Sequence, residues 1–171
     1  MTRWALIALA ACTLVSGCDD SPTAPTTQPL VFTALLFPAN EVPAVGNAES
    51  SGQGAMQVQL DVTRDAANVI TGATASFYVQ LHGFPGDTRV IGAHIHNGVA
   101  GVNAPIVVDS GVSGTAPVAL SGGIVEFKSG AISVTPALAQ SIATNPAGFY
   151  FNVHSPLNPG GFARGQLTRV Q

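Results

Sequence analysis

Between residues 56 and 62 apolar and polar side chains alternate without a break. Met56, Val58, Leu60 and Val62 are separated by Gln57, Gln59 and Asp61. A period of two sends the two sets to opposite faces of an extended chain, so the stretch is a half-buried strand. The same alternation recurs twice. Ala75, Phe77, Val79 and Leu81 alternate with Ser76, Tyr78 and Gln80, and Phe149, Phe151 and Val153 with Tyr150, Asn152 and His154. Further strands are expected at Leu30–Phe37, Val90–His96, Ile106–Asp109, Gly123–Phe127 and Ala163–Val170. Turn formers separate them: Gly83 to Asp87, Gly98 to Pro105, Ser121 to Gly123, and Asn158 to Gly161. A single helix is predicted. Thr135 caps it, Pro136 suits its first position, Leu138 and Ile142 share a face, and Asn145-Pro146 ends it. About seven to nine short strands with such punctuation predict an all-β fold, a Greek-key antiparallel β-sandwich with one short helix.

Composition narrows the functional classes. The 171 residues suit one domain, and only 9% are charged, against about 25% in ordinary soluble proteins. Six basic residues and a net charge of −3 give no electrostatic footprint for nucleic acid. An apolar fraction of 46% is too high for a disordered chain. There are no heptads and no Gly-rich phosphate loop.

The first residues read as an export signal. Arg3 supplies a positive start, and Trp4 to Val15 is an apolar run too short for an ordinary membrane span. The run ends at Val15-Ser16-Gly17-Cys18, which resembles the bacterial lipobox. That resemblance implies a signal peptide over 1–17 and lipidation of Cys18. The chain would then be exported and anchored in a lipid bilayer, either the cell membrane or the outer membrane, facing the periplasm or the exterior. Cys12 falls in the removed segment and Cys18 carries lipid, so no disulfide is expected. Five basic residues (Arg64, Arg89, Lys128, Arg164, Arg169) remain to face nine acidic ones. Residues 18–29 hold Asp19-Asp20 and several prolines with no apolar periodicity, and are expected to form a disordered tether reaching roughly 30 Å. The domain is expected over 30–171.

The distinctive polar residues concentrate on three of the expected strands. His94-Ile95-His96 places two imidazoles on one face, roughly 6.5–7 Å apart along the backbone, with Ile91, Ala93 and Ile95 on the other, core face. By the same parity Asn152 and His154 lie opposite Phe151 and Val153, and Arg164 and Gln166 lie opposite Ala163, Gly165 and Leu167. If these strands are neighbours, the side chains form one patch. His94, His96 and His154 are then candidate metal ligands, with zinc or copper the ions that imidazoles suit. Asn152, Arg164, Gln166 and Glu41, the last in Asn40-Glu41-Val42-Pro43, are candidate supporting residues. The competing expectation is a solvated H-x-H pair, with His154 and Arg164 bracing loops. His82 lies at a strand end, apart from the patch.

In these motifs the sequence resembles the CHRD domain, a module named after chordin and also found singly in bacterial secreted proteins. The resemblance is carried by Phe32-Thr33-Ala34-Leu35, Asn40-Glu41-Val42-Pro43, Gly52 and Gly54, Ala93 to Gly98, Gly101 to Pro105, Tyr150 to His154, Asn158 to Gly161, and Arg164 to Leu167. It spans about residues 30 to 170. Two positions depart from the usual pattern: Gly161-Phe162-Ala163-Arg164-Gly165 lacks the Glu of Gly-Glu-Ile-Arg-Gly, and Ala44 stands where a second proline is common. The resemblance implies the fold and assigns no reaction. Three readings follow. The leading one is a non-enzymatic module binding a metal, an unknown protein or a small ligand. The second is a structural or adhesion module without metal. The third is an enzyme, since an H-x-H pair on a β-sandwich is similar to part of copper–zinc superoxide dismutase. The long His/Asp-rich loop and the disulfide of that enzyme are not present, and no catalytic residue is assigned.

Overall fold

The computed structural model describes residues 26–171. The signal peptide, Cys18 and most of the expected tether lie outside the described residues.

Two antiparallel sheets face each other. The first runs β6-β3-β2-β1-β9 and the second β5-β4-β7-β8. The strands are β1 (Thr26–Leu36), β2 (Gln53–Arg64), β3 (Ile70–His82), β4 (Arg89–His96), β5 (Ile106–Ala119), β6 (Val125–Val134), β7 (Tyr150–His154), β8 (Ala163–Gln166) and β9 (Thr168–Arg169), with helix α1 (Pro136–Thr144) between β6 and β7. The chain leaves the first sheet after β3, builds β4 and β5 in the second, and returns as β6 beside β3. This is Greek-key connectivity.

The alternating apolar sets line the inner faces. Phe32, Val58 and Phe77 fall in register across β1, β2 and β3, as do Ala34, Met56 and Val79. All six are buried, and Phe151, Val153, Ile95 and Ala93 close the core from the second sheet. Phe77 and Phe151 meet between the sheets with centroids 5.7 Å apart. Helix α1 begins as its sequence dictates: the Thr135 side chain accepts from the Leu138 N–H, Pro136 opens the first turn, and Ala139 and Ile142 bury against the core. Among the described residues no helix is long and apolar enough to cross a membrane.

Four local expectations change. Thr26 to Pro29, read as the end of the tether, extend β1, because the long β2 offers them Asp61 to Arg64 as partners. Pro29 lies where β1 has no second neighbour, a position that tolerates a missing N–H. Strands β5 and β6 run well beyond Asp109 and Phe127. They are edge strands, where glycines such as Gly111 and irregular register are tolerated, so their composition imitates a loop. The expected strand Ala163–Val170 splits at buried Leu167, because the chain crosses there from β7's flank to β1's. Finally, the core side chain near the start of β4 is Val90, and Ile91 is only partly buried. A register irregularity between Val90 and Gly92 reverses the parity at that point.

Candidate metal centre

Strands β4 and β7 are direct neighbours, with Gly92 opposite His154 and His94 opposite Asn152. Pairing therefore brings the H-x-H face of one strand beside the Asn-x-His face of the other. One ring nitrogen from each of His94, His96 and His154 lies within 4.8 Å of the others. The centroids of His94 and His154 are 4.8 Å apart, and His96 stands 5.8 and 6.0 Å from them. At a metal–nitrogen distance near 2.05 Å, two ligand nitrogens on one ion sit about 3.4 Å apart. The widest pair, at up to 4.8 Å, must draw together before it fits one ion.

Each imidazole has one nitrogen engaged or braced and one buried without a partner. The Nδ1–H of His96 donates to the Ala104 carbonyl at 2.8 Å, and that of His154 to the Pro159 carbonyl at 3.0 Å. A carbonyl only accepts, so both rings carry their proton on Nδ1 and present the Nε2 lone pair. Both Nε2 atoms are buried and unpartnered. His94 is turned the other way. Asp109, in register with it on β5, places Oδ1 3.7 Å from Nε2, and the buried unpartnered nitrogen is Nδ1. Asp109 is itself oriented by the Gly111 N–H at 2.8 Å. Desolvation pushes the pKa of all three imidazoles below the ordinary value. They are neutral donors at neutral pH, as metal ligation requires.

The supporting residues lie beside this cluster. Tyr150, on the same face of β7, stacks on His96 at 4.7 Å with planes 1° apart, and its hydroxyl accepts from the Ala104 N–H at 3.2 Å. The same ring carries the Arg164 guanidinium 4.8 Å from its centroid. Arg164 is buried and donates from Nε to the Asn40 carbonyl (2.7 Å) and from Nη1 to the Val102 carbonyl (3.2 Å). Its ion-pair partner is buried Glu41 at 3.3 Å. Burial nevertheless raises the Glu41 carboxyl to about 7, against the lowering pull of Arg164. Asn152 donates weakly to the Gly160 carbonyl at 3.4 Å. Gln166 donates to the carbonyls of Gly98, Ala147 and Phe149. Arg164, Gln166 and Asn152 thus hold loop carbonyls around the histidines, and neither they nor Glu41 join the imidazole group. His82 is distant in the fold, hydrogen-bonded to Gln53 at the end of β3.

The non-core face of β4 and β7 is largely covered, contrary to the expectation for a free H-x-H pair: His96, Tyr150 and Asn152 are buried, and His94 and His154 are half-buried. The loops after β1, β4 and β7 roof it. Sequence reasoning missed Tyr150, Asp109 and Gly92 as parts of the site. Tyr150 shares the parity of Asn152 and His154, a usable signal. Asp109 becomes a neighbour of His94 only once the β4–β5 register is known. Gly92 leaves room for two rings, because a Cβ there would stand 2.9 Å from His94 Cε1 and 3.5 Å from His154 Cδ2.

Residues 32–167 match the CHRD domain family. The chain belongs to that family. No curated protein and no solved structure matches the chain. The matched span of the CHRD domain contains β2 to β8, the second half of β1 and every residue of the histidine cluster.

Proposed function

We propose that the chain is an exported, lipid-anchored protein whose single CHRD domain binds a transition-metal ion, zinc or copper, through His94, His96 and His154. The observation that carries the metal-binding part is the set of three buried, unpartnered ring nitrogens on adjacent strands. Leaving such atoms without partners is costly in a folded protein, and an ion shared by all three satisfies them together. The anchoring part rests on Cys18 and the apolar run before it.

Thermal unfolding of tag-free protein with and without zinc or copper tests the site. An ion present at a hundred times its Kd adds about 2.7 kcal/mol of stability. His94→Ala and His154→Ala should abolish the shift. A wild-type domain that neither retains nor responds to either ion overturns the reading. For the anchor, Cys18→Ser should move the protein from the membrane fraction to the soluble exported fraction.

A second reading is favoured by the bonds from His96 to Ala104 and from His154 to Pro159. Here the histidines only pin two loops. It predicts that His96→Ala lowers the melting temperature while added metal changes nothing.

A further inference from the structure

We propose that the outer face of the first sheet binds a neutral polysaccharide chain, with Tyr78 as its platform. The proposal is independent of the histidine site, which lies on the second sheet.

Strand register sets the composition of that face. Thr33, Gln57, Tyr78 and Lys128 lie side by side across β1, β2, β3 and β6. Leu35, Ala55, Gln80 and Glu126 form the next row. Both rows have the parity opposite to buried Val58, Phe77 and Val79, so they point away from the core. Small residues leave two hollows among them. One lies over Ala55, walled by Leu35, Gln57, Tyr78 and Gln80. The other lies over Ser76 and Gly130, beside Gln59, Tyr78 and Lys128. Each has a volume of about 340 Å3, and Gln57 and Tyr78 line both. A Cβ on Gly130 would stand 3.1 Å from Ser76 Oγ, so a larger residue would crowd the second hollow.

The chemistry of these hollows is that of a sugar site. A saccharide ring presents C–H groups on its faces and hydroxyls around its rim. The C–H groups rest on the electron-rich face of an aromatic ring. Each hydroxyl donates and accepts, as side-chain amides do. Tyr78 supplies the ring, and Lys128 Nζ, 5.1 Å from its centroid, helps to hold it in place. The exposed amides of Gln57 and Gln80, with the Thr33 hydroxyl, border the first hollow. Charge argues against other occupants. Among the described residues Lys128 is the one charged side chain lining the hollows, and Glu126 beside it offsets its charge. An acidic polymer or an anionic lipid surface gains little there. A protein partner calls for a cluster of aromatic or apolar anchors, and Leu35 is the only exposed large apolar side chain in either hollow. A face of amides, hydroxyls and one aromatic ring complements an uncharged chain of hydroxyls.

Affinity electrophoresis of the full, tag-free chain tests this, in gels containing laminarin, xyloglucan or dextran as neutral glycans and polygalacturonate as an acidic one. One or more of the neutral glycans should slow the wild type, and polygalacturonate should not. Tyr78→Ala removes the platform and should weaken the interaction about 10-fold. Ala55→Leu fills the first hollow from an outward-facing position and should weaken it similarly, with circular dichroism still that of a folded sandwich. His154→Ala should bind glycan as the wild type does. Retardation by none of the neutral glycans, or by polygalacturonate alone, overturns the proposal. So does retardation that survives both Tyr78→Ala and Ala55→Leu. A dimer in sedimentation that Tyr78→Ala splits assigns the face to a second copy of the chain and also overturns it.

Discussion

His96 lies flat against Tyr150, the two ring planes 1° apart and their centroids separated by 4.7 Å. The contact joins two adjacent strands, and the Ala104 backbone fastens both partners: its carbonyl accepts from the His96 Nδ1–H and its N–H donates to the Tyr150 hydroxyl. Tyr150→Phe keeps the stack and strands only the Ala104 N–H. It should cost about 1–2 kcal/mol in urea unfolding and leave metal binding near wild type. Tyr150→Ala removes the buried ring, should cost about 3–5 kcal/mol, and should weaken metal binding because His96 loses its support.

Gly92 is expected to act on the site without touching an ion. A methyl group there meets the His94 ring at 2.9 Å and pushes it off its present position. Gly92→Ala should lower metal affinity by about 10–100-fold, the range seen when a ligand's orienting partner is lost. Stability of the metal-free protein should fall by only about 1 kcal/mol. A calorimetric titration beside a denaturation curve separates the two effects.

The titration of Glu41 gives a pH dependence of definite sign. Its carboxyl is raised from 4.5 to about 7 in the folded protein, so the folded state holds a proton that the unfolded state has released. Stability therefore falls as pH rises from 4.5 to 7, by about 2–3 kcal/mol from this group. Glu41→Gln mimics the neutral acid and should abolish that fall. The histidines contribute with the opposite sign: their lowered pKa values make the folded state resist protonation, so stability drops as pH falls below 6.5. Denaturation curves of wild type and Glu41→Gln from pH 4.5 to 8 check both.

The junction of the two sheets makes a further position sensitive. Phe37 and Arg164 exchange backbone hydrogen bonds, and beside them Gly165 packs directly on the Leu35 carbonyl. A side chain at 165 overlaps that oxygen, and neither backbone can retreat without breaking the bridge. Gly165→Ala should cost at least about 2 kcal/mol, read as a lowered melting temperature with or without metal.

Parity made the core and much of the site legible. An uninterrupted alternation, as at Met56–Val62, assigns faces without knowledge of any partner. The same rule put His94, His96, Asn152 and His154 opposite the core before the β4–β7 pairing was known. It failed where the pattern slips, at Val90, because a bulge is a property of two strands and leaves no mark in one. It also stopped short in β5, where the expected strand ended at Asp109 and the chain continues as an edge strand to Ala119. Burial of the polar face was illegible for a third reason. The roof comes from loop backbone, at Ala104 for His96, Pro159 for His154 and Val102 for Arg164, and carbonyl groups carry no residue-type signal.

That roof has an evolutionary consequence. The hydrogen bonds orienting His96 and His154 and holding Arg164 end on main-chain oxygens of surface loops, while the apolar faces of the sheets are occupied with one another. Selection on loop length or turn shape can thus retune what the outer face holds without disturbing the packing that keeps the protein folded.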